Sequence, residues 1–183
     1  MTLSVNEFKN LLQVEVREIA ADNEWSFNNN AERGFAFQLW YGMLIDGAES
    51  RFDTDPIDAM LYTNDLGVDL VFEDQSSRRL LICQCKFIRP NSAVDEAEVI
   101  SFFELEDRLK NRKWIIDHGS QAVQDLLLDY AERLEQGWSA EFRFVTTGKA
   151  SPRVRTAAQS SEESNVSRTL VDFSGLKEIR AAP

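Results

Sequence analysis

The sequence predicts an α/β fold, a mixed sheet of four to five strands flanked by helices on both faces. Three observations carry this expectation. Two short apolar runs, at residues 64–72 and 80–87, are joined by a polar turn over 73–79 and read as a hairpin. Two further runs, 141–147 and 169–173, read as additional strands. Around them lie stretches with helical spacing of apolar residues, giving the order helix, helix, strand, strand, helix, helix, strand, strand.

Taken in order, residues 4–22 read as an amphipathic helix that Ser4 and Glu7 open with a capping box. Its apolar candidates are Phe8, Leu11, Leu12, Val14 and Ile19, which fit one stripe only in part. A loop with Trp25 and Phe27 leads to a second helix over about residues 31–45. There Phe35, Phe37, Leu39, Trp40, Met43 and Leu44 make so wide an apolar surface that it must lie between other elements or on a sheet. Gly47 is the expected stop. Asp53, Asp55 and Asp58 surround Pro56, which is placed to open a short helical piece to about residue 61; an EF-hand's glycine and terminal glutamate are missing. After the hairpin, Asn91 or Ser92 caps a long helix over 94–110, and another helix covers 121–135 beyond the break at His118-Gly119. Residues 149–168 are rich in Ser, Ala, Arg and Glu and fit either a helix or a loop. The expected organisation is a helical extension at 1–28 and an α/β domain at 29–180. The chain ends just as a helical pattern begins after residue 174, which reads as a domain of a longer protein.

The 183 residues are 43% hydrophobic and 28% charged, ordinary for a globular domain with a sizeable core. No apolar run approaches membrane-spanning length, and the N-terminus lacks the pattern of a signal peptide, so a cytoplasmic protein with no membrane partner is expected. The two cysteines, Cys83 and Cys85, lie two apart on one strand, where a disulfide cannot close; they read as apolar filler. The formal net charge of −11 argues against tight autonomous nucleic-acid binding. A metal ion can supply the missing positive charge locally, with an oligomer or a fused region adding affinity.

The hairpin carries polar residues where a buried strand does not favour them. Asp69 lies in the first strand, and Gln84 and Lys86 share one face of the second with Leu80 and Ile82. A face that begins apolar and turns polar at one end suits a site at the rim of a sheet. Phosphodiester hydrolysis needs an activated water and stabilisation of added negative charge, which Mg²⁺ or Mn²⁺ on hard oxygen ligands supplies. Asp69 and the backbone carbonyl of Cys85 are the natural ligands, with the Gln84 amide oxygen another. Lys86 is a point charge for the attacking water or the scissile phosphate. Gln84 brings no charge, so Glu32 on the preceding helix is the candidate for a further carboxylate; the bland reading of Glu32 is compensation of its helix dipole. Asp65 reads as a turn former that can also assist the metal. Arg89, Lys149 and Arg153 are candidates for contacts to a nucleic-acid backbone.

A helical Glu32, then Asp69, then Gln84-Cys85-Lys86 on the next strand resembles the PD-(D/E)xK restriction-endonuclease-like nuclease superfamily in its Q-x-K variant. Within it, the turn 64–69 and the strand ending Gln84-Cys85-Lys86-Phe87 look most like the N-terminal nuclease domain of abortive-infection phage-resistance (AIPR) proteins. The likeness covers roughly residues 30–178, and Val68 stands where the superfamily has a proline before its aspartate. The resemblance implies helices and strands in α-β-β-β-α-β order and Mg²⁺-dependent cleavage of DNA. It gives Asp69, Gln84, Lys86 and Glu32 the catalytic and metal-binding positions and implies a role in anti-phage defence. RNA as the substrate stays open. So does a catalytically inactive module on the same fold that uses its acidic surface to bind another protein.

Overall fold

Ser4 opens the first helix as its sequence dictates. Its hydroxyl accepts from the Glu7 N–H, and the Glu7 carboxylate accepts from the Ser4 N–H. In the computed structural model, which describes residues 3–49, 52–62, 66–159 and 165–181, this helix is α1 (Val5–Asp22). Its buried stripe is Phe8, Leu12, Val16 and Ala20, spaced four apart, and Val14 points outward at 52% exposure. Helix α2 (Asn30–Glu49) runs past Gly47, which keeps helical geometry instead of ending the helix. It lies between α1 and the sheet, so Ala36, Phe37, Leu39, Trp40, Tyr41 and Ile45 are all buried. Residues 56–59 form turns rather than the expected helical piece.

The hairpin is β1 (Leu70–Asp74) and β2 (Arg79–Lys86), antiparallel, with Leu70 opposite Cys83. Asp74 holds the turn by accepting from the Ser76 and Ser77 hydroxyls and the Ser77 N–H. The chain then crosses through four helices to β3 (Ser139–Thr146), parallel to β2. These are α3 (Glu96–Phe103), α4 (Leu105–Leu109), α5 (Arg112–Asp117) and α6 (Gln121–Glu135). The single helix expected over 94–110 is therefore broken at Glu104. In an unbroken helix Phe103 and Leu105 would face far apart, and the break buries both. Its cap is Asp95, which accepts from the Ala97 N–H, not Asn91 or Ser92. Helix α7 (Pro152–Ala157) falls in the stretch the sequence leaves open. β4 (Val166–Val171) pairs parallel with β3, and α8 (Phe173–Ala181) ends the described chain.

The sheet thus has four strands in the order β1-β2-β3-β4, at the low end of the expected range and mixed as expected. In place of a third antiparallel strand before the crossover, the described residues offer one bridge, Met60 to Leu70, with the Val71 N–H donating to Ala59 O and the Leu61 N–H to Asp69 O. One sheet face packs Leu80, Ile82, Phe142 and Phe144 against α3 to α7. The other packs Leu81, Cys83, Cys85 and Val145 against α1, α2 and α8. Both cysteines are buried free thiols, and burial pushes the Cys85 thiol well above its ordinary range, so it stays neutral filler. No helix among the described residues is long and apolar enough to cross a membrane.

Candidate active site

The parallel pairing of β2, β3 and β4 places their C-terminal ends at one rim, the end of such a sheet where ligands commonly bind. Asp69 sits there, one residue before β1 begins. Its N–H donates to the Cys83 carbonyl at 2.8 Å, and its carboxylate accepts from the Cys85 N–H at 2.7 Å. The side chain thus takes over at the point where β1 stops supplying partners to β2. A strand residue's N–H and carbonyl leave along the same edge, so the Cys85 carbonyl opens to the side where Asp69 lies.

A cavity of about 210 Å³ opens beside this contact, walled by Asp69, Cys85 and Lys86 from the sheet, Gly34 and Gln38 from α2, and Tyr62. Asp69 is 5% exposed. Burial is the main reason its carboxyl is pushed up from 3.8 to about 6; the Cys85 N–H and the charge of Lys86 pull only partly the other way. An acid lifted by burial beside a lysine, in a cavity, is a usual feature of functional sites.

The sequence did not single out Gln38. It is 5% exposed, and its side-chain oxygen is buried without a hydrogen-bond partner. Placing α2 correctly on the sheet is what reveals it, because on sequence alone it is one polar residue inside an apolar helix.

Glu32, the expected further carboxylate, does not wall this cavity. Its two oxygens accept from the Ser26 N–H and the Asn29 side-chain amide, which ties the loop to the first turn of α2. Gln84 walls a neighbouring cavity of about 430 Å³ on the α3 side, together with Gly67, Glu98, Ser101 and Arg108. Lys86 walls both cavities, and its ammonium lies 3.3 Å from the Glu98 carboxylate. The structure therefore gathers Asp69, Cys85 and Lys86, sets Gln84 beside them, and leaves Glu32 tied to the loop before α2. Asp65 lies outside the described residues.

Gly67 closes over Gln84. Its φ is +75°, and a Cβ there would stand 2.6 Å from the Gln84 side-chain nitrogen. Gly67→Ala is expected to displace Gln84 and to cost about 1–2 kcal/mol from the left-handed backbone alone. A thermal midpoint equal to that of the parent chain would contradict this close approach.

The basic candidates fall at the same rim. Arg89 lines a groove with Arg33, Phe27 and Phe87, and Phe87 also borders the Asp69 cavity. Arg17 and Arg33, neither singled out in the sequence, stack over Phe27 at 5.0 and 5.7 Å. Lys149 is exposed on the loop bonded to the Arg89 loop, through its N–H to Ser92 O at 2.7 Å. Arg153 is 84% exposed at its side chain but is paired with Glu96 at 2.7 Å.

Among solved structures, the chain is similar to the MspJI restriction endonuclease in complex with a 27-mer oligonucleotide, at 14% identity and a TM-score of 0.40. That match covers 97% of this chain and 34% of the other, so the chain spans about a third of that enzyme's length. No curated protein matches the chain. The family model Mrr_cat_2, described as restriction endonuclease, matches residues 52–173, which run from the turn before the hairpin to the start of α8 and include Asp69, Gln84 and Lys86. The chain belongs to this restriction endonuclease family.

Proposed function

We propose that this chain is a DNA endonuclease domain that uses Mg²⁺ or Mn²⁺ and serves as the effector of a bacterial anti-phage system. The observation that carries the reading is the buried Asp69 carboxylate, fixed by the Cys85 N–H in one cavity with Lys86. The donors there fit a hard divalent cation: a carboxylate, a strand carbonyl that opens to the same side, and the unpartnered oxygen of Gln38. Asp69 and the Cys85 carbonyl would hold the ion, which supplies the Lewis acid that activates water and offsets charge on the phosphate. Lys86 presents its ammonium at the boundary of the two cavities, where it orients the water or meets the scissile phosphate. Arg89, Arg17 and Arg33 offer cations along the neighbouring groove for the DNA backbone. Assignment to anti-phage defence rests on the likeness of the 64–87 hairpin to AIPR nuclease domains. Assembly of copies, or fusion to a larger region, would offset the net charge of −11.

A second reading, a catalytically inactive module that binds another protein, is favoured by one observation. Among the described residues no group of three His, Cys, Asp or Glu side chains is placed to hold a metal. Supercoiled plasmid incubated with the chain and Mg²⁺ separates the two. The parent chain is expected to nick and linearise the plasmid, and Asp69→Ala and Lys86→Ala to do so at least ~100-fold more slowly, the usual loss when a group stabilising the transition state is removed. Equal cleavage by all three overturns the endonuclease site. A parent chain that neither cleaves nor binds metal through Asp69 leaves the second reading.

A further inference from the structure

We propose that Gln38 is the third oxygen donor of this centre, and that the centre takes its divalent cation more tightly together with a substrate phosphate. This rests on the metal-dependent reading above and adds what binds the ion and what tightens it. The first support is the buried Gln38 side-chain oxygen, which has no donor although it belongs to a cavity wall shared with Asp69. A buried acceptor without a donor is uncommon in folded proteins and calls for a ligand. The cation already in that wall, Lys86, is engaged with Glu98 on the α3 side.

The second support is charge. The other carboxylates near the centre are committed elsewhere, Glu32 to the loop before α2 and Glu98 to Lys86. With Lys86 paired to Glu98, Asp69 is the one charged oxygen donor that the described residues bring to the cavity before any ion binds. Affinity of oxygen sites for hard divalent cations rises with the count of charged ligands, and a glutamine in place of a carboxylate lowers that count. A phosphodiester brings both a negative charge and free oxygens. The ion in turn offsets repulsion between the DNA and a domain of net charge −11. Each ligand therefore improves the site for the other, and the coupling must be reciprocal.

Calorimetric titration of Mn²⁺ into the full chain tests this, with and without a short DNA duplex and with the duplex alone subtracted. Mn²⁺ affinity of the parent chain is expected to tighten at least about tenfold when the duplex is present, within the usual range of coupling. Gln38→Glu, which restores a second carboxylate, is expected to bind Mn²⁺ about tenfold tighter without the duplex and to show a smaller gain from it. Gln38→Leu, its fold checked by thermal midpoint, is expected to weaken Mn²⁺ binding several-fold with the duplex present. No tightening by the duplex, or Gln38 variants that match the parent, overturns the proposal. The parent reading fails separately: Mn²⁺ binding undiminished in Asp69→Asn removes the metal centre itself. Binding that depends on Asp69 but ignores Gln38 removes this inference alone.

Discussion

Asp69→Asn is expected to raise the thermal midpoint of the metal-free chain near neutral pH, while removing the stabilisation that Mg²⁺ gives the parent. The sign follows from burial. The folded chain holds the Asp69 carboxyl at about 6, above its ordinary 3.8, so the folded state binds the proton more tightly than the unfolded state does. The favourable contribution is complete below about 4 and is lost as pH rises through about 6. Above that, an ionised Asp69 costs the fold roughly 3 kcal/mol, at ~1.36 kcal/mol for each unit of pKa. Asparagine has nearly the same shape, carries no charge and can still accept from the Cys85 N–H. In a chain of this size such a gain amounts to several degrees near neutral pH, at about 2–4 °C for each kcal/mol, and it should vanish near pH 4. Mg²⁺ should raise the parent's midpoint, because a ligand of the folded state stabilises it, and leave the variant unmoved. An asparagine variant no more stable than the parent near neutral pH would show that Asp69 is not held at the expense of the fold.

The hairpin was the most legible part of the chain, and the reason is local. Gln84 and Lys86 share a strand face with Leu80 and Ile82 because side chains alternate along a strand, and no tertiary information is needed to see it. The Ser4–Glu7 capping box is equally local. What sequence reading missed depended on packing. The stripe Phe8, Leu12, Val16 and Ala20 was hidden by Leu11, which is half-buried, and Val14, which is exposed, and both follow only from where α2 lies. The break at Glu104 exists because Phe103 and Leu105 are both wanted in the core. The site shows the same division. The sequence supplies Asp69, Gln84 and Lys86 in their spacing. Which residue of α2 faces Asp69 depends on the angle and depth at which that helix meets the sheet. Glu32 and Gln38 lie six residues apart, so they project from different sides of α2, and of the two only Gln38 walls the cavity that holds Asp69.

That angle is set by a buried charge pair, and Glu141→Ala is expected to be among the most damaging single changes in the chain. On β3, Arg143 donates to the Glu141 carboxylate at 2.7 Å and to the Tyr41 hydroxyl of α2 at 3.1 Å, and Arg79 pairs with Glu141 as well. Glu141 and Arg143 are each 7% exposed. Burial alone would push the Glu141 carboxyl up; the hydrogen bond and charge of Arg143, with Thr169 and Arg79, outweigh it and hold it below its ordinary value. Glu141 therefore stabilises the fold above the carboxylate range, and that contribution is lost as pH falls through its lowered value. Removing it takes the Glu141 carboxylate away from the buried Arg143 guanidinium, a loss of about 3–5 kcal/mol and a drop in thermal midpoint of roughly 10 °C. The double replacement Glu141→Leu with Arg143→Met should lose less than the single one, because the buried guanidinium goes with its carboxylate and only the more exposed Arg79 loses a partner. If the double variant is the less stable, packing rather than charge holds this place. Tyr41 stands one turn from Gln38 on α2, so the pair also fixes how deep that helix sits over Asp69. Glu141→Ala should accordingly weaken Asp69-dependent metal binding at temperatures where the chain is still folded, whereas a variant that was only less stable would bind the metal as the parent does.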